Sequence, residues 1–277
     1  MYLQAKSLTS FDNTKIYYEI SHSHITHKNT LIFLHGLGGD LSDWNDEKNY
    51  FNKLGYKTIV LDLRGHGLSE RKDNIEAYDF DSFVEDIVAL IKKEKIKKPV
   101  IIGHCFGGMI TMILAGKYPD IAEALILVDT GYKSPDLSKL VADTYPLRTL
   151  FMMIMKVAPQ YHFKGHADNK GFLHSEDYDW KRILSDVSHV SLKSYMMISK
   201  NLWNYNISKT LKSIKAPTLV IEGLRDSIFP PAVARQIHKR IIKSDILLIK
   251  NANHILVTND PKDLNSAIYN YLSKLKI

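Results

Sequence analysis

The sequence predicts an α/β fold, a mostly parallel central sheet flanked by helices and interrupted by one helical insertion. Three observations predict it. Short, continuous apolar runs rich in β-branched residues recur along the chain, the pattern of strands covered on both faces. Helical periodicities alternate with these runs, as strand–helix–strand crossovers require. From residue 132 to residue 206 the alternation stops, leaving helical patterns and no strand of the buried type.

The elements follow in order. TKIYYEI (Thr14–Ile20) alternates apolar and polar residues and reads as a half-exposed strand. TLIFLH (Thr30–His35), KTIVLDL (Lys57–Leu63), PVIIGH (Pro99–His104) and EALILVD (Glu123–Asp129) are nearly unbroken apolar runs, and TLVIEG (Thr218–Gly223) and DILLIK (Asp245–Lys250) share the style. All six are expected in the buried parallel sheet. Phe80–Lys95 carries apolar residues at helical spacing, with Asp79 or Asp81 available as N-cap. Phe106–Lys117 reads as a further helix, and Pro231–Ile242 begins with proline where a first turn tolerates it. Asp260–Leu275 closes the chain. The expected organisation is a core over residues 1–131 and 207–277, with a helical cap over 132–206.

Composition narrows the function. The 277 residues are 45% hydrophobic and 24% charged, enough for a large core and unlike a disordered chain. Net charge is +7, but the lysines are scattered, and IKKEKIKK (Ile91–Lys98) mixes in a glutamate at a helix end, where cations suit the helix dipole. No nucleic-acid motif accompanies them, and no nucleic-acid partner is expected. No apolar run approaches the roughly 18–20 residues that span a bilayer, so no membrane partner is expected. The N-terminal residues show no apolar signal core, and a lone cysteine suits a reducing compartment, so a cytoplasmic setting is expected.

That cysteine is the centre of the functional reading. GHCFGG places Cys105 in a G-x-C-x-G turn between a strand and a helix, the context of a nucleophile elbow. A buried structural cysteine is the usual alternative, but flanking glycines at a strand–helix junction favour a nucleophile. Two further residues follow in the order acid, then base. Asp226 follows the run TLVIEG, and His254 follows DILLIK, both at carboxyl ends of strands, where α/β sheets gather functional groups. A histidine can take a thiol proton and an aspartate can fix its tautomer. Asp129, ending EALILVD, is a rival acid. HGLGG (His35–Gly39) supplies a glycine-rich turn before the elbow, and the amides of Leu37 and Phe106 are the expected oxyanion donors.

HGLGG, LDLRGHGLSE (Leu61–Glu70), GHCFGG, GLRDSIFP and NANHILVTNDP together resemble the α/β-hydrolase superfamily over nearly the whole chain. The resemblance implies a capped α/β-hydrolase fold and a Cys105–His254–Asp226 triad, with Asp226 preferred because LRDSIFPP has the family's customary form. It assigns Arg64 and His66 a structural role. The departure is cysteine where most members carry serine; dienelactone hydrolases and polyhydroxyalkanoate synthases are branches with cysteine there. Among capped members, the chain looks most like esterases and C–C-bond hydrolases.

Thiolate is a good leaving group as well as a good nucleophile, so activated acyl compounds are the expected substrates: small apolar or activated esters, thioesters or lactones. An acyltransferase using the same acyl-cysteine, and a slow receptor-like ligand binder, are the alternatives. Phe151, Met152, Met155, Met196, Met197 and Trp203, in the insertion, are expected to roof an apolar pocket. SHSHITH (Ser21–His27) reads as a surface loop and HFKGH (His162–His166) lacks a zinc-protease glutamate, so no metal is expected. No glycine-rich nucleotide fingerprint occurs, and no cofactor is expected.

Overall fold

A computed structural model describes residues 2–22, 29–161, 165–166 and 172–277. Most of SHSHITH and the first three residues of HFKGH lie outside the described residues.

Eight strands form one sheet in the order β1-β2-β4-β3-β5-β6-β7-β8. The strands are β1 (Tyr2–Thr9), β2 (Lys15–His22), β3 (Thr30–Leu34), β4 (Lys57–Leu61), β5 (Val100–His104), β6 (Ala124–Val128), β7 (Thr218–Gly223) and β8 (Ser244–Ile249). β1 and β2 pair antiparallel, as do β2 and β4; every pairing from β4 to β8 is parallel. The sequence reading lacked β1, whose YLQAKSLT is too polar to resemble a buried run; it sits at the sheet's edge, where one neighbour suffices.

β5, β6 and β7 are buried along their whole length, as continuous apolar runs predict. β8 is not. DILLIK is apolar, yet its residues are partly exposed because β8 forms the opposite edge. An apolar run thus identified a strand without identifying its place in the sheet.

The helices are α1 (Asn45–Lys53), α2 (Phe80–Lys93), α3 (Phe106–Lys117), α4 (Asp136–Asp143), α5 (Tyr145–Val157), α6 (Trp180–Val190), α7 (Leu192–Asn201), α8 (Pro231–Arg240), α9 (Leu256–Asn259) and α10 (Pro261–Lys274). α1, NDEKNYFNK, went unread because its polar composition hides the one stripe it buries. Asp79 caps α2 by accepting from the Ser82 amide, which settles the choice between Asp79 and Asp81. Two apolar layers cover the sheet. Phe83, Ile87 and Leu90 of α2 join Met109 and Ile110 of α3 on one face. Trp44, Phe51 of α1 and Leu264, Ile268 and Leu272 of α10 fill the other.

α4 to α7 lie between β6 and β7 in the chain, and a Lys133–Asn206 bridge ties the ends of this insertion together. Among the described residues no helix is long and apolar enough to cross a membrane. Arg64 is fully buried and binds Asp86 at 2.6 and 2.8 Å, Asp12 at 2.9 Å and the Ala77 carbonyl at 2.7 Å. It joins the β1–β2 turn to α2 and lies away from the cavity described next.

Candidate active site

The parallel strands all point their carboxyl ends to one edge of the sheet, and the loops leaving that edge build the site. β5 ends at His104 and α3 begins at Phe106, leaving Cys105 alone to reverse the chain. Its φ of 50° and ψ of −112° are a strained conformation for a non-glycine residue. The flanking glycines are sterically required. A Cβ on Gly103 would stand 2.5 Å from the Gly107 carbonyl oxygen, and one on Gly107 would stand 2.3 Å from that of Leu34. Threonine or alanine at either position would push α3 off the sheet.

The histidine loop leaves β8 and the acid loop leaves β7. His254 Nδ1 donates to Asp226 Oδ2 at 2.7 Å, and the same ring lines one cavity together with Cys105. Asp226 Oδ1 accepts from the amides of Ile228 and Phe229 at 2.7 and 2.8 Å, so both carboxylate oxygens are engaged. Burial pushes the Asp226 pKa up, but the His254 charge and hydrogen bond outweigh it and hold the carboxyl below its ordinary value. Burial likewise opposes charge on His254, while negative charge at Cys105 and Asp226 raises its pKa well above the usual histidine value.

Asp129 does not touch His254 in this way; its Oδ1 accepts the Gly223 amide at 2.8 Å. Asp129, Glu222 and Asp226 nevertheless bring carboxylate oxygens within 4.8 Å of one another, the only such group of possible metal ligands among the described residues. Burial raises the pKa of both Asp129 and Glu222 well above the carboxylate range. As carboxylates, both Glu222 oxygens and Asp129 Oδ2 would lack donors. As an acid, Glu222 can donate to Asp226. Protonated acids are poor metal ligands, and this set reads as support behind Asp226.

The glycine-rich turn lies against the elbow: a Cβ on Gly36 would be 3.3 Å from Cys105 Cβ. Two neutral histidines brace it. His35 donates from Nδ1 to the Gly36 carbonyl at 2.8 Å and accepts the Leu63 amide on Nε2 at 3.0 Å. His66 donates to the Arg64 carbonyl at 3.0 Å and meets the Gly38 amide at 3.4 Å. Burial lowers the pKa of both rings, so each keeps one donor and one acceptor nitrogen. The Leu37 amide donates to no backbone or side-chain acceptor among the described residues, and the Phe106 amide opens α3.

A cavity of 330 Å³ lies over Cys105 and is lined by Leu37, Phe106 and His254. None of Phe151, Met152, Met155, Met196, Met197 and Trp203 lines it. Phe151 packs edge-on against Trp203 at 5.1 Å, Met196 and Met197 are buried, and Met155 packs on the core. The insertion instead presents Leu137, Tyr178, Arg182, Ile183, Asp186 and Tyr195 to the cavity. The cavity wall from the insertion thus mixes apolar, aromatic and charged side chains.

The sequence reading also missed two residues that hold the loops. His104 donates from Nε2 to the His254 carbonyl at 2.8 Å; burial, helped by the His254 charge, lowers its pKa to about 3 and keeps it neutral. Asp177, from the insertion, accepts the His254 amide at 2.8 Å on one oxygen, and the Ser227 amide and hydroxyl at 2.8 and 2.6 Å on the other. It ties the acid and histidine loops together. Only the G-H-C order hinted at His104; nothing local marks Asp177.

Fold and comparisons agree on the architecture: the chain has the α/β-hydrolase fold. The family model for the alpha/beta hydrolase fold matches residues 29–162. Among curated relatives, Protein ABHD8 of Bos taurus is 24% identical over 245 residues, covering 87% of this chain and 55% of that protein. The chain therefore spans about half the length of that relative. The 3-oxoadipate enol-lactonase 2 of Acinetobacter baylyi is 26% identical over 239 residues, covering 86% of each chain. The crystal structure of the enol-lactonase from Burkholderia xenovorans matches with a TM-score of 0.75 at 20% identity, covering 97% of this chain and 100% of that one. The esterase EaEST from Exiguobacterium antarcticum matches with a TM-score of 0.75 at 21% identity, covering 98% of this chain and 100% of that one.

Proposed function

We propose that the protein hydrolyses small carboxylic esters, lactones or other activated acyl compounds through an acyl-cysteine at Cys105. One observation carries this reading: His254 donates to Asp226 at 2.7 Å and shares with Cys105 the wall of a single cavity. In the first half-reaction His254 takes the thiol proton and Sγ attacks the substrate carbonyl carbon. The carbonyl electron pair moves onto oxygen, where the amides of Leu37 and Phe106 stabilise it. Collapse breaks the carbon–oxygen bond, and the leaving oxygen takes the proton from His254. In the second half-reaction His254 deprotonates a water that attacks the thioester, and Sγ leaves as thiolate. Asp226 keeps the ring oriented and stabilises its charge throughout. The helices of the insertion act as a cap over the cavity, whose 330 Å³ suits a small substrate.

Because the chain has a single cysteine, alkylation reports on one atom. Iodoacetamide is expected to label the native protein at pH 7, with labelling and loss of esterase activity advancing one to one. An activated ester should protect it, and His254→Ala should slow the labelling. Intact-mass measurement decides: full activity with Cys105 fully alkylated would remove it from the mechanism.

The Asp177 clamp adds a second expectation. Asp177→Ala should lower kcat about 10–100-fold, since releasing both loops misplaces the base by a fraction of an ångström or more. Asp177→Asn, which keeps one acceptor oxygen, should recover part of the loss. Steady-state kinetics beside thermal melts check this; equal kcat in Asp177→Ala and wild type would show the loops hold themselves.

A further inference from the structure

One carboxylate in the cavity has no part in the chemistry above. Asp186, on α6, lines the cavity together with Cys105 and His254. Its side chain is 22% exposed, and its nearest cation, Arg182 Nε, stands 3.8 Å away, beyond hydrogen-bonding distance. Among the described residues no N–H or O–H group donates to it. A mostly buried carboxylate that no protein group donates to, facing a cavity, is free to accept a donor from the cavity's occupant.

Its place relative to the nucleophile follows from the glycine-rich turn. Gly38 has φ +92°, and a Cβ there would stand 2.9 Å from Asp186 Cβ. Two residues earlier, a Cβ on Gly36 would stand 3.3 Å from Cys105 Cβ. Residues two apart lie no more than ~7 Å from each other, so Asp186 and Cys105 flank the same short stretch of space. The other acids on the cavity wall, Asp43, Asp136 and Asp177, make the wall inhospitable to an anion.

We propose that Asp186 determines specificity by accepting a hydrogen bond from the substrate, and that preferred substrates are acyl compounds bearing a hydroxyl or amino group a few bonds from the scissile carbonyl. This rests on the hydrolase reading above and sharpens it. Burial, with a smaller contribution from Asp40, raises the Asp186 pKa to about 6 against the opposing charges of Arg182 and His189. The other groups facing it are Tyr195 from α7 and the Cys105–His254 pair. Above pH 6 the carboxylate is ionised and accepts strongly; below it the group protonates and the preference weakens.

The test compares phenyl butanoate, phenyl 3-hydroxybutanoate and phenyl 3-aminobutanoate across pH, taking kcat/KM ratios so that titration of His254 cancels. At pH 8 the wild type should favour a donor-bearing ester by about 10-fold or more, the scale of a hydrogen bond to a charged group. The hydroxy ratio should fall as pH drops through about 6. Asp186→Leu should bring it near one and abolish its pH dependence. Asp186→Asn, a milder change that keeps an amide oxygen, should retain part of the ratio without the pH dependence. Equal kcat/KM for the plain and donor-bearing esters in wild type, or a ratio unchanged in both variants, overturns the proposal. Ligand-observed NMR on Cys105→Ala with butanamide and 3-hydroxybutanamide reads the preference without turnover. If wild type hydrolyses none of the esters, the hydrolase reading fails; tighter binding of the hydroxyamide would still uphold the role of Asp186, and equal binding would overturn it.

Discussion

His254→Ala is expected to lose turnover by a factor on the order of 10⁴ or more while remaining folded. In the proposed mechanism the ring serves Cys105 and is held by Asp226, so its removal takes away the base, the acid for the leaving group and the counter-charge to the thiolate together. Cys105→Ala should lose as much, and the double variant little more, because the two act as one unit. The fold should survive both changes. The loop that carries His254 is held by backbone contacts, from the Asp177 carboxylate to the His254 amide and from His104 to the His254 carbonyl, and both outlast the loss of the ring. Initial rates on an activated ester, with circular dichroism melts alongside, provide the measurement. Activity of His254→Ala within tenfold of wild type would end the triad reading.

The second large effect separates two acids. Asp226→Asn is expected to cost about 10³–10⁴ in kcat, because the amide cannot hold the imidazole tautomer that presents a bare nitrogen to the thiol. Asp129→Asn should retain most activity. Asp129 is held protonated by burial, and asparagine preserves the acceptor that binds the Gly223 amide. Asp226 accepts from His254 and from two amides of its own loop, so its contacts and its charge agree. A dead Asp129→Asn beside an active Asp226→Asn would reverse the assignment.

Much of this architecture was legible in the sequence because it is carried by local patterns. Continuous apolar runs fixed β3 to β7, and the glycines around Cys105 were visible because a turn that tight excludes any Cβ. The order of Cys105, Asp226 and His254 along the chain, each after a strand, was enough to place them on one edge of a parallel sheet. Elements defined by their neighbours were harder to read. β1 and α1 are polar enough to pass for loops, and DILLIK is apolar enough to pass for a central strand although it lies at the edge.

By itself, then, the sequence determined the fold class, the elbow and the residues able to form a triad, since each depends on periodicity or on steric rules acting over a few residues. The tertiary structure alone decided which acid meets His254, which cap residues face the cavity and which groups hold the loops in place. Asp177 reaches two loops 50 and 77 residues away, and His104 contacts a carbonyl 150 residues away. Phe151, Met152, Met155, Met196, Met197 and Trp203 turned from the cavity, while Tyr178 and Tyr195 face it, for the same reason. Apolar side chains go wherever apolar surface can be buried, and the surface available to them is created by the packing of distant segments, which no local pattern encodes.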